Sequence, residues 1–209
     1  MSSLPRRFDM SSADASEPMG ATHVSVARYA PDPTVSRFTV RAFSSGLLSV
    51  FGHNPTIAIR DFDGEARWAP NSLDDASLHL RIRASSLAVQ DQISEKDRRE
   101  MERLMHEEVL ETSSFPEIVY ECSEVSVNTA GEEQYSVVLN GYLTLHGVTR
   151  REPVSARVVF NAGLLRAFGD FSIRQTDYNI KLVNAIGGTL KVKNELKFSF
   201  DIVARKQDE

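Results

Sequence analysis

Residues 134–160 alternate between apolar and polar side chains, and this alternation constrains the fold more than any other feature of the chain. The apolar members before the glycine at 147 fall on one parity: Tyr135, Val137, Leu139, Leu143 and Leu145. After Gly147 the alternation resumes and runs from Val154 to Phe160. A spacing of two residues puts such side chains on one face of a β-strand, and a helix cannot use it. The stretch therefore predicts a long hairpin with one apolar face and one polar face.

The same alternation recurs along most of the chain and predicts further strands. The other alternating segments are residues 24–29, 36–43, 56–68, 76–84, 117–127, 165–175 and 190–202. Strands with one apolar face, repeated in this way, suit an antiparallel barrel with an apolar interior. We therefore predict an all-β fold made of a single antiparallel β-barrel of about eight strands. Asn194 falls in the apolar row of the last strand, so its amide needs a hydrogen-bond partner or a ligand.

Residues 92–111 break the strand pattern and predict one helix, over about residues 93–110. Ser94 and Asp97 are spaced as in a capping box at its start. The apolar residues of the segment form a rough stripe: Ile93, Met101, Leu104, Met105 and Val109. We expect this stripe to pack on the barrel.

The length and composition of the chain indicate one globular domain. At 209 residues it can bury the core of one barrel. Residues 1–22 are rich in Ser, Ala, Asp and Pro, so we expect a disordered N-terminal tail, followed by a barrel domain over residues 23–206. The net charge of −5 comes from interspersed charges, which argues against nucleic-acid binding. No membrane span is indicated, and the tail lacks the apolar core of a secretory signal, so a cytoplasmic location is expected.

Residue types that carry catalysis are sparse in this chain. His53, His146 and Asp97 are the only candidates, and their spacing matches no hydrolase, phosphate-binding or zinc motif. Cys122 is the only cysteine, so neither an internal disulfide nor a cysteine-based zinc site can form. The sequence thus predicts a protein that is not an enzyme and that uses no cofactor and no metal.

Residues 143–150, which read LTLHGVTR, resemble a motif of the YceI-like family, as does the upstream Phe115-Pro116-Glu117-Ile118. The resemblance extends over roughly residues 27–205. It implies a lipocalin-like antiparallel barrel, and several members of that family hold a polyisoprenoid or a similar long apolar molecule. It also implies that the helix lies near the barrel opening, with Asp97 and Arg98 as the acidic–arginine pair of a family insert.

The function expected from the pattern and the resemblance together is non-enzymatic binding, storage or transport of a long apolar lipid inside the barrel. The partner would be a polyisoprenoid, a quinone or a fatty acyl chain, and a homodimer is possible. An alternative stays open, because an eight-stranded barrel is just wide enough either to fill with side chains or to hold one small ligand. A filled barrel would act as a dimeric interaction or stress-related scaffold, with catalysis a distant third.

The loop before the second long strand, residues 44–55, is the first candidate for the ligand entrance, because loops at a barrel mouth often carry function. It contributes Phe51, His53 and Asn54. His53 and Asn54 can equally cap a turn through backbone hydrogen bonds.

The helix contributes Arg98, Met101 and Met105 to the candidate site. Methionine side chains adapt to irregular shapes, so Met101 and Met105 could line a lid over an apolar ligand, with ordinary helix-to-barrel packing as the alternative. Together with His53 and Asn54, Arg98 could orient a head group. The strands contribute the remaining candidates: Phe43, Ile57, Ile59, Leu80, Ile82, Tyr142, Phe171, Ile173 and Phe198.

Overall fold

A computed structural model of the chain describes residues 26–45, 54–69, 72–131, 134–182, 184–185 and 190–208. The predicted tail over residues 1–22 lies outside the described residues and stays a prediction. Within the described part, no helix is both long enough and apolar enough to cross a bilayer.

The described residues form strands and one α-helix, which we number in chain order. The strands are β1 (Ala27–Pro31), β2 (Arg37–Ser45), β3 (Thr56–Ile59), β4 (Phe62–Ala69), β5 (Ser72–Arg83), β6 (Leu87–Val89), β7 (Glu117–Cys122), β8 (Val125–Gly131), β9 (Gln134–Leu145), β10 (Val148–Asn161), β11 (Leu164–Arg174), β12 (Asn184–Ala185) and β13 (Leu190–Lys206). The α-helix, α1, spans Glu95–Leu104 and continues as a π-helical turn, Met105–Val109. Short 3-10 turns cover Ala84–Ser86 and Gln175–Tyr178.

The strands close into an antiparallel barrel, as predicted. Eight of the strands form four bent paths, and each path consists of two consecutive strands: β1–β2, β3–β4, β5–β6 and β7–β8. The two strands of a path lie between the same neighbours in the sheet. With β9, β10, β11 and β13 these paths make an eight-stranded closed barrel. The ring closes where β13 pairs with β2 through Phe200 and Phe38 and with β1 through Lys206 and Tyr29.

The hairpin predicted from residues 134–160 is confirmed. Strands β9 and β10 pair in register from Leu145 and Val148 down to Gln134 and Val159. The two residues of the turn, His146 and Gly147, both have positive φ, 50° and 72°, as a tight hairpin turn requires. We call the end of the barrel at this turn the upper end, and the end where β4 leads into β5 the lower end.

The predicted helix is also confirmed, but its C-terminal turn is a π-turn and not a regular α-helical one. The helical segment covers residues 95–109, and Ser94 accepts a 3.1 Å hydrogen bond from the Asp97 N–H as its cap. Its last five residues form a π-turn, in which Met105 is buried. That burial orients the segment against the barrel.

Two strands expected to be continuous are broken. Residues 60–61 separate β3 from β4. Residues 123–124 separate β7 from β8.

Gly64 occupies a position in β4 where a side chain has no room. A Cβ at this position would lie 2.1 Å from the His79 carbonyl oxygen. A side chain there would collide with the paired strand β5.

Two glycines make room for aromatic rings inside the barrel. A Cβ at Gly141 would lie 2.5 Å from Cζ of Tyr120, and a Cβ at Gly169 would lie 2.9 Å from Cζ of Phe200. The Tyr120 ring crosses Gly141, and its hydroxyl lies 3.0 Å from the carbonyl oxygens of both Leu139 and Glu152. The Tyr120 side chain therefore links β7 to β9 and β10 through an inward position that only glycine can occupy.

We predict that Gly141→Ala lowers the free energy of unfolding by about 1–3 kcal/mol, because the added methyl group displaces the Tyr120 ring. Urea unfolding followed by circular dichroism measures this change. Ser136→Ala, on the outward parity of the same strand, is the matched control and should stay within about 0.5 kcal/mol of the parent. Equal stability of Gly141→Ala and the control would contradict the role given to Gly141.

Candidate ligand-binding site

The barrel encloses a cavity of about 180 Å³, which extends along its interior. Its walls are almost entirely apolar. The residues that line its lower half include Tyr29, Ala66, Trp68, Ala76, Val137, Ala156, Val158, Leu165, Ala167 and Ala204. The residues that line its upper half include Phe38, Ile59, Leu80, Ile82, Ile118, Tyr120, Leu143, Leu145, Val154, Phe171 and Phe198. Every strand path of the barrel contributes at least one of these side chains.

Small side chains in the lower half leave space, and large ones narrow the upper half. Five alanines line the cavity: Ala66, Ala76, Ala156, Ala167 and Ala204. In the upper half the rings of Phe171 and Phe198 stack with centroids 4.6 Å apart, and Phe38 lies 6.4 Å from Phe198. All five alanines lie in the lower half of the cavity, which we call the lower chamber, and the close contacts between phenylalanine rings lie in the upper half.

An aromatic cluster packs the lower end. The Trp68 ring lies 5.3 Å from Tyr135 and 5.4 Å from Phe160, and Phe160 lies 5.7 Å from Tyr29. Such edge-on and tilted contacts between rings stabilise a core beyond the area that they bury. Trp68 and Tyr29 also line the cavity, so this cluster forms its lower wall.

Irregular segments close the upper end. The 3-10 turn at residues 175–178 places Tyr178 and the following Ile180 against Leu143 and Val154, and both are almost fully buried. The Tyr178 hydroxyl lies 3.3 Å from a carboxylate oxygen of Glu152. Met105 of the π-turn packs in the same region of the barrel, in a cluster with Phe38, Ile59 and Ile82.

Polar contacts attach the helical segment to the barrel at both ends. The Glu102 carboxylate accepts a 2.9 Å hydrogen bond from the Val89 N–H, and the Arg98 guanidinium donates to the carbonyl oxygens of Val89 and Asp91. After the π-turn, His146 Nε2 lies 2.8 Å from a carboxylate oxygen of Glu111. These contacts hold the helical segment against the upper part of the barrel.

Five of the residues predicted for the site line the cavity together: Ile59, Leu80, Ile82, Phe171 and Phe198. Three others, Ile57, Ile173 and Met105, pack in the hydrophobic clusters around it. These eight residues come from strands β3, β5, β11 and β13 and from the π-turn. Their position in or beside the cavity agrees with an inward-facing placement, and a role in ligand binding stays a prediction.

Three other predicted positions within the described residues do not line the cavity: Phe43, Tyr142 and Asn54. Phe43 shares the outward parity of Arg37 and Arg41 on β2, and Tyr142 is 54% exposed on the outer face of β9. Asn54 is exposed and precedes β3. Phe51 and His53 lie outside the described residues.

Two predicted positions on the helix also do not line the cavity. The guanidinium of Arg98 donates to the backbone carbonyl oxygens of Val89 and Asp91, and its role in orienting a head group stays a prediction. Met101 is half-buried, whereas Met105 is the buried residue of the helical segment. The burial of Met105 fits ordinary packing of the helical segment on the barrel.

The residues predicted for the site did not include the alanines of the lower chamber or Trp68. A cavity forms where inward side chains are small, and small residues carry a weaker apolar signal than large ones. The parity of each alanine in the sequence could have identified it as inward-facing. Ala156 follows Val154 and precedes Val158 in one apolar row, and Ala167 holds the same parity as Phe171.

Asn194, the polar residue in the last apolar row, finds its partner within the chain. Its side-chain oxygen accepts a 3.0 Å hydrogen bond from the Thr176 N–H, and its amide nitrogen donates to the Thr176 hydroxyl at 2.8 Å. The pairing of β13 with β2 is irregular between Val192 and Leu196, where Asn194 lies. Asn194 therefore holds the 3-10 turn to β13.

Burial shifts the pKa of ionisable groups in the upper barrel toward the uncharged form. Burial raises the pKa of the Tyr120 and Tyr178 phenols, so both stay protonated. Burial also raises the pKa of the Glu152 carboxyl, against the opposing hydrogen bond from Tyr178. Among the described residues, no group of His, Cys, Asp and Glu side chains is arranged to hold a metal ion.

We predict that Glu152→Gln stabilises the barrel at neutral pH. Because the carboxyl has a raised pKa in the folded protein, the parent loses stability as pH rises from the ordinary carboxyl pKa through the raised one. The amide is uncharged throughout, so its advantage in melting temperature should grow with pH in this window and vanish below it. Thermal unfolding between about pH 4 and about pH 8 measures this.

The exposed Glu124→Gln is the matched control for Glu152→Gln and should leave the pH profile unchanged. A Glu152→Gln protein that melts below its parent at neutral pH would show that the ionised carboxylate stabilises the fold.

The fold is shared with several solved structures of low sequence identity. BcnA of Burkholderia cenocepacia is 16% identical, with a TM-score of 0.60 over 83% of this chain and 98% of that one. A polyisoprenoid binding domain from Saccharophagus degradans, implicated in plant cell wall breakdown, is 17% identical, with a TM-score of 0.61 over 86% and 98%. The YCEI protein of Campylobacter jejuni is 11% identical, with a TM-score of 0.50 over 99% of both chains.

No curated protein matches the chain in sequence. The family model described as YceI-like domain, in contrast, matches residues 28–204, which extend from within β1 to within β13. The chain therefore belongs to the YceI-like family.

Proposed function

We propose that this protein binds one long apolar lipid chain inside its barrel, as a carrier or store and without catalysing a reaction on it. The observation that carries the proposal is the apolar cavity along the barrel interior. Transfer of each CH₂ group from water contributes about 0.8 kcal/mol, so ten buried carbons would contribute roughly 8 kcal/mol before ordering costs. Such a sum supports micromolar binding without a charged anchor.

The shape of the cavity favours a slender ligand. Its volume of about 180 Å³ is below the roughly 300–1,000 Å³ usual for pockets that take drug-sized ligands. The stacked Phe171 and Phe198 rings narrow the upper half further. A polyisoprenoid, the isoprenoid tail of a quinone or a fatty acyl chain fits these limits better than a fused ring system.

Family membership and one structural relative support a lipid ligand. The Saccharophagus degradans protein with this fold is described as a polyisoprenoid binding domain. The alternative of a filled barrel is less well supported, because inward alanines such as Ala156 and Ala167 leave space that larger side chains would occupy.

A binding role also fits the chemistry of the cavity wall better than catalysis does. Ser77 is the one aliphatic hydroxyl among the described lining residues, and no histidine or carboxylate lines the cavity beside it. A serine nucleophile needs an adjacent base to activate it. The wall thus offers contact area rather than reactive groups.

Native mass spectrometry of freshly purified protein tests the proposal directly. We expect a mass shift that corresponds to one bound lipid, and organic extraction should release a polyisoprenoid, quinone or acyl species in equal amount. An unliganded mass, together with no binding of added polyprenyl lipids, would refute the proposal in favour of the filled barrel. The same spectrum tests the predicted homodimer.

We further predict that Ala156→Leu weakens lipid binding at least about tenfold, because the larger side chain occupies the lower chamber. Ser155→Leu introduces the same side chain one residue away, on the exposed outer face, and is the matched control. Titration with a fluorescent polyprenyl lipid compares the two, and circular dichroism establishes that both fold. Equal affinities would place the ligand outside the cavity.

A further inference from the structure

The outer face of strands β10, β11, β13 and β2 carries basic side chains without an acidic partner in the chain. These four strands are neighbours in the sheet, so their outward residues form one continuous surface, which we call the basic face. Its exposed arginines and lysines that form no ion pair with any described residue are Arg37, Arg41, Arg151, Arg157, Arg174, Lys193 and Lys197.

Acidic residues do not balance the basic face. The outward carboxylates of the same four strands are those of Asp170, Glu195 and Asp201. Asp201 already binds Arg166, and both hydrogen bonds of that pair measure 2.7 Å. Two carboxylates therefore remain beside the unpaired cations. The basic face is positively charged, although the whole chain has a net charge of −5.

The arginines of β4 and β5, on another side of the barrel, are neutralised within the chain. Each exposed arginine of these two strands contacts a carboxylate: Arg67 contacts Glu65 at 2.6 Å, Arg81 contacts Asp63 at 3.1 Å and Arg83 contacts Asp61 at 2.8 Å. On the basic face, in contrast, the cations stay available for the anions of another molecule.

Two cations of the basic face are placed where they repel each other. Arg41 of β2 and Lys197 of β13 are direct cross-strand partners. On its other side Lys197 pairs with Ser172, which lies two residues before Arg174 on the same outward row of β11. Like charges directly opposite each other destabilise a sheet. An anion bound over Arg41 and Lys197 would relieve this repulsion.

Two aromatic residues lie on the basic face among the cations. Phe43 follows Arg41 on the outward parity of β2, and Phe168 of β11 is the cross-strand partner of Arg157. Both side chains are half-buried. Basic side chains together with apolar rings suit the headgroup region of an anionic bilayer, where the cations contact lipid phosphates and the rings reach the acyl boundary.

We propose that the basic face docks the barrel onto an anionic lipid bilayer, with Arg41, Lys197 and Arg174 among its contacts. The choice of a bilayer over another polyanion rests on the proposed function, because a lipid carrier collects and releases a water-insoluble chain at a bilayer. Each basic residue near an anionic membrane surface strengthens binding about fivefold. Several such contacts together support a reversible association that salt weakens.

Flotation with lipid vesicles tests the proposal. The full chain should bind vesicles of phosphatidylcholine with about 30% phosphatidylglycerol at least about tenfold more tightly than vesicles of phosphatidylcholine alone. Binding should weaken as the salt concentration rises from about 0.05 M to about 0.5 M. The double variant Arg41→Gln/Lys197→Gln should bind the anionic vesicles about 25-fold more weakly than the parent, because two contacts are lost.

The double variant Arg83→Gln/Lys96→Gln is the matched control. It removes the same two charges from exposed positions outside the basic face and should bind the anionic vesicles like the parent. Circular dichroism establishes that both variants fold. Equal binding to the two kinds of vesicle, unchanged binding by Arg41→Gln/Lys197→Gln or an equal loss in the control would overturn the inference. A duplex oligonucleotide that binds the parent more tightly than the anionic vesicles do would also overturn it.

Cargo binding is measured separately, by titration with a fluorescent polyprenyl lipid in the absence of vesicles. Both double variants should bind this lipid like the parent, since none of the four substituted residues lines the cavity. A parent that binds the polyprenyl lipid but not the anionic vesicles would refute the docking face and leave the proposed function intact. A parent that binds the anionic vesicles but no polyprenyl lipid would refute the proposed function and leave the docking face intact.

Discussion

The closure of the barrel through β13 is the constraint on which the rest of the structure depends. This strand pairs with β11 along one edge and with β2 and β1 along the other, so it joins the two ends of the sheet. Closure removes the free strand edges and fixes the width of the interior. Once that width is fixed, the size of each inward side chain decides whether the space is filled or hollow.

The two halves of the interior show both outcomes. In the upper half, phenylalanine rings approach one another closely, and Tyr178, Ile180 and Met105 complete the packing from segments outside the ladder. In the lower half, five inward alanines line the cavity together with Trp68. An apolar chamber that stays empty loses dispersion contacts, which an apolar ligand would restore. The fold therefore tolerates the chamber at some cost in stability.

The alternation of side chains was enough to predict the barrel, the hairpin at residues 134–160 and one helix, because closure depends on parity and strand number rather than on side-chain identity. It was not enough to choose the cavity wall. Phe43 and Tyr142, which were predicted for the site, have outward parity, whereas the inward Ala156 and Ala167 were not predicted for it. The role of Arg98 depends on backbone carbonyl oxygens in a neighbouring strand and loop, whose distance no sequence pattern encodes.

The treatment of buried polar groups explains why Trp68 stands apart. Gln175 and Tyr120 both reach backbone carbonyl oxygens, at 2.8 and 3.0 Å. Within the described part of the chain, three buried side-chain nitrogens lack a partner: Trp68 Nε1, His106 Nδ1 and His146 Nδ1. A neutral imidazole can place its proton on the other nitrogen and leave Nδ1 as a lone pair, as the contact of His146 Nε2 with Glu111 permits. An indole has no second tautomer of this kind, so of the three nitrogens only Trp68 Nε1 must carry a hydrogen, and the rings of Tyr135 and Phe160 beside it are weak acceptors.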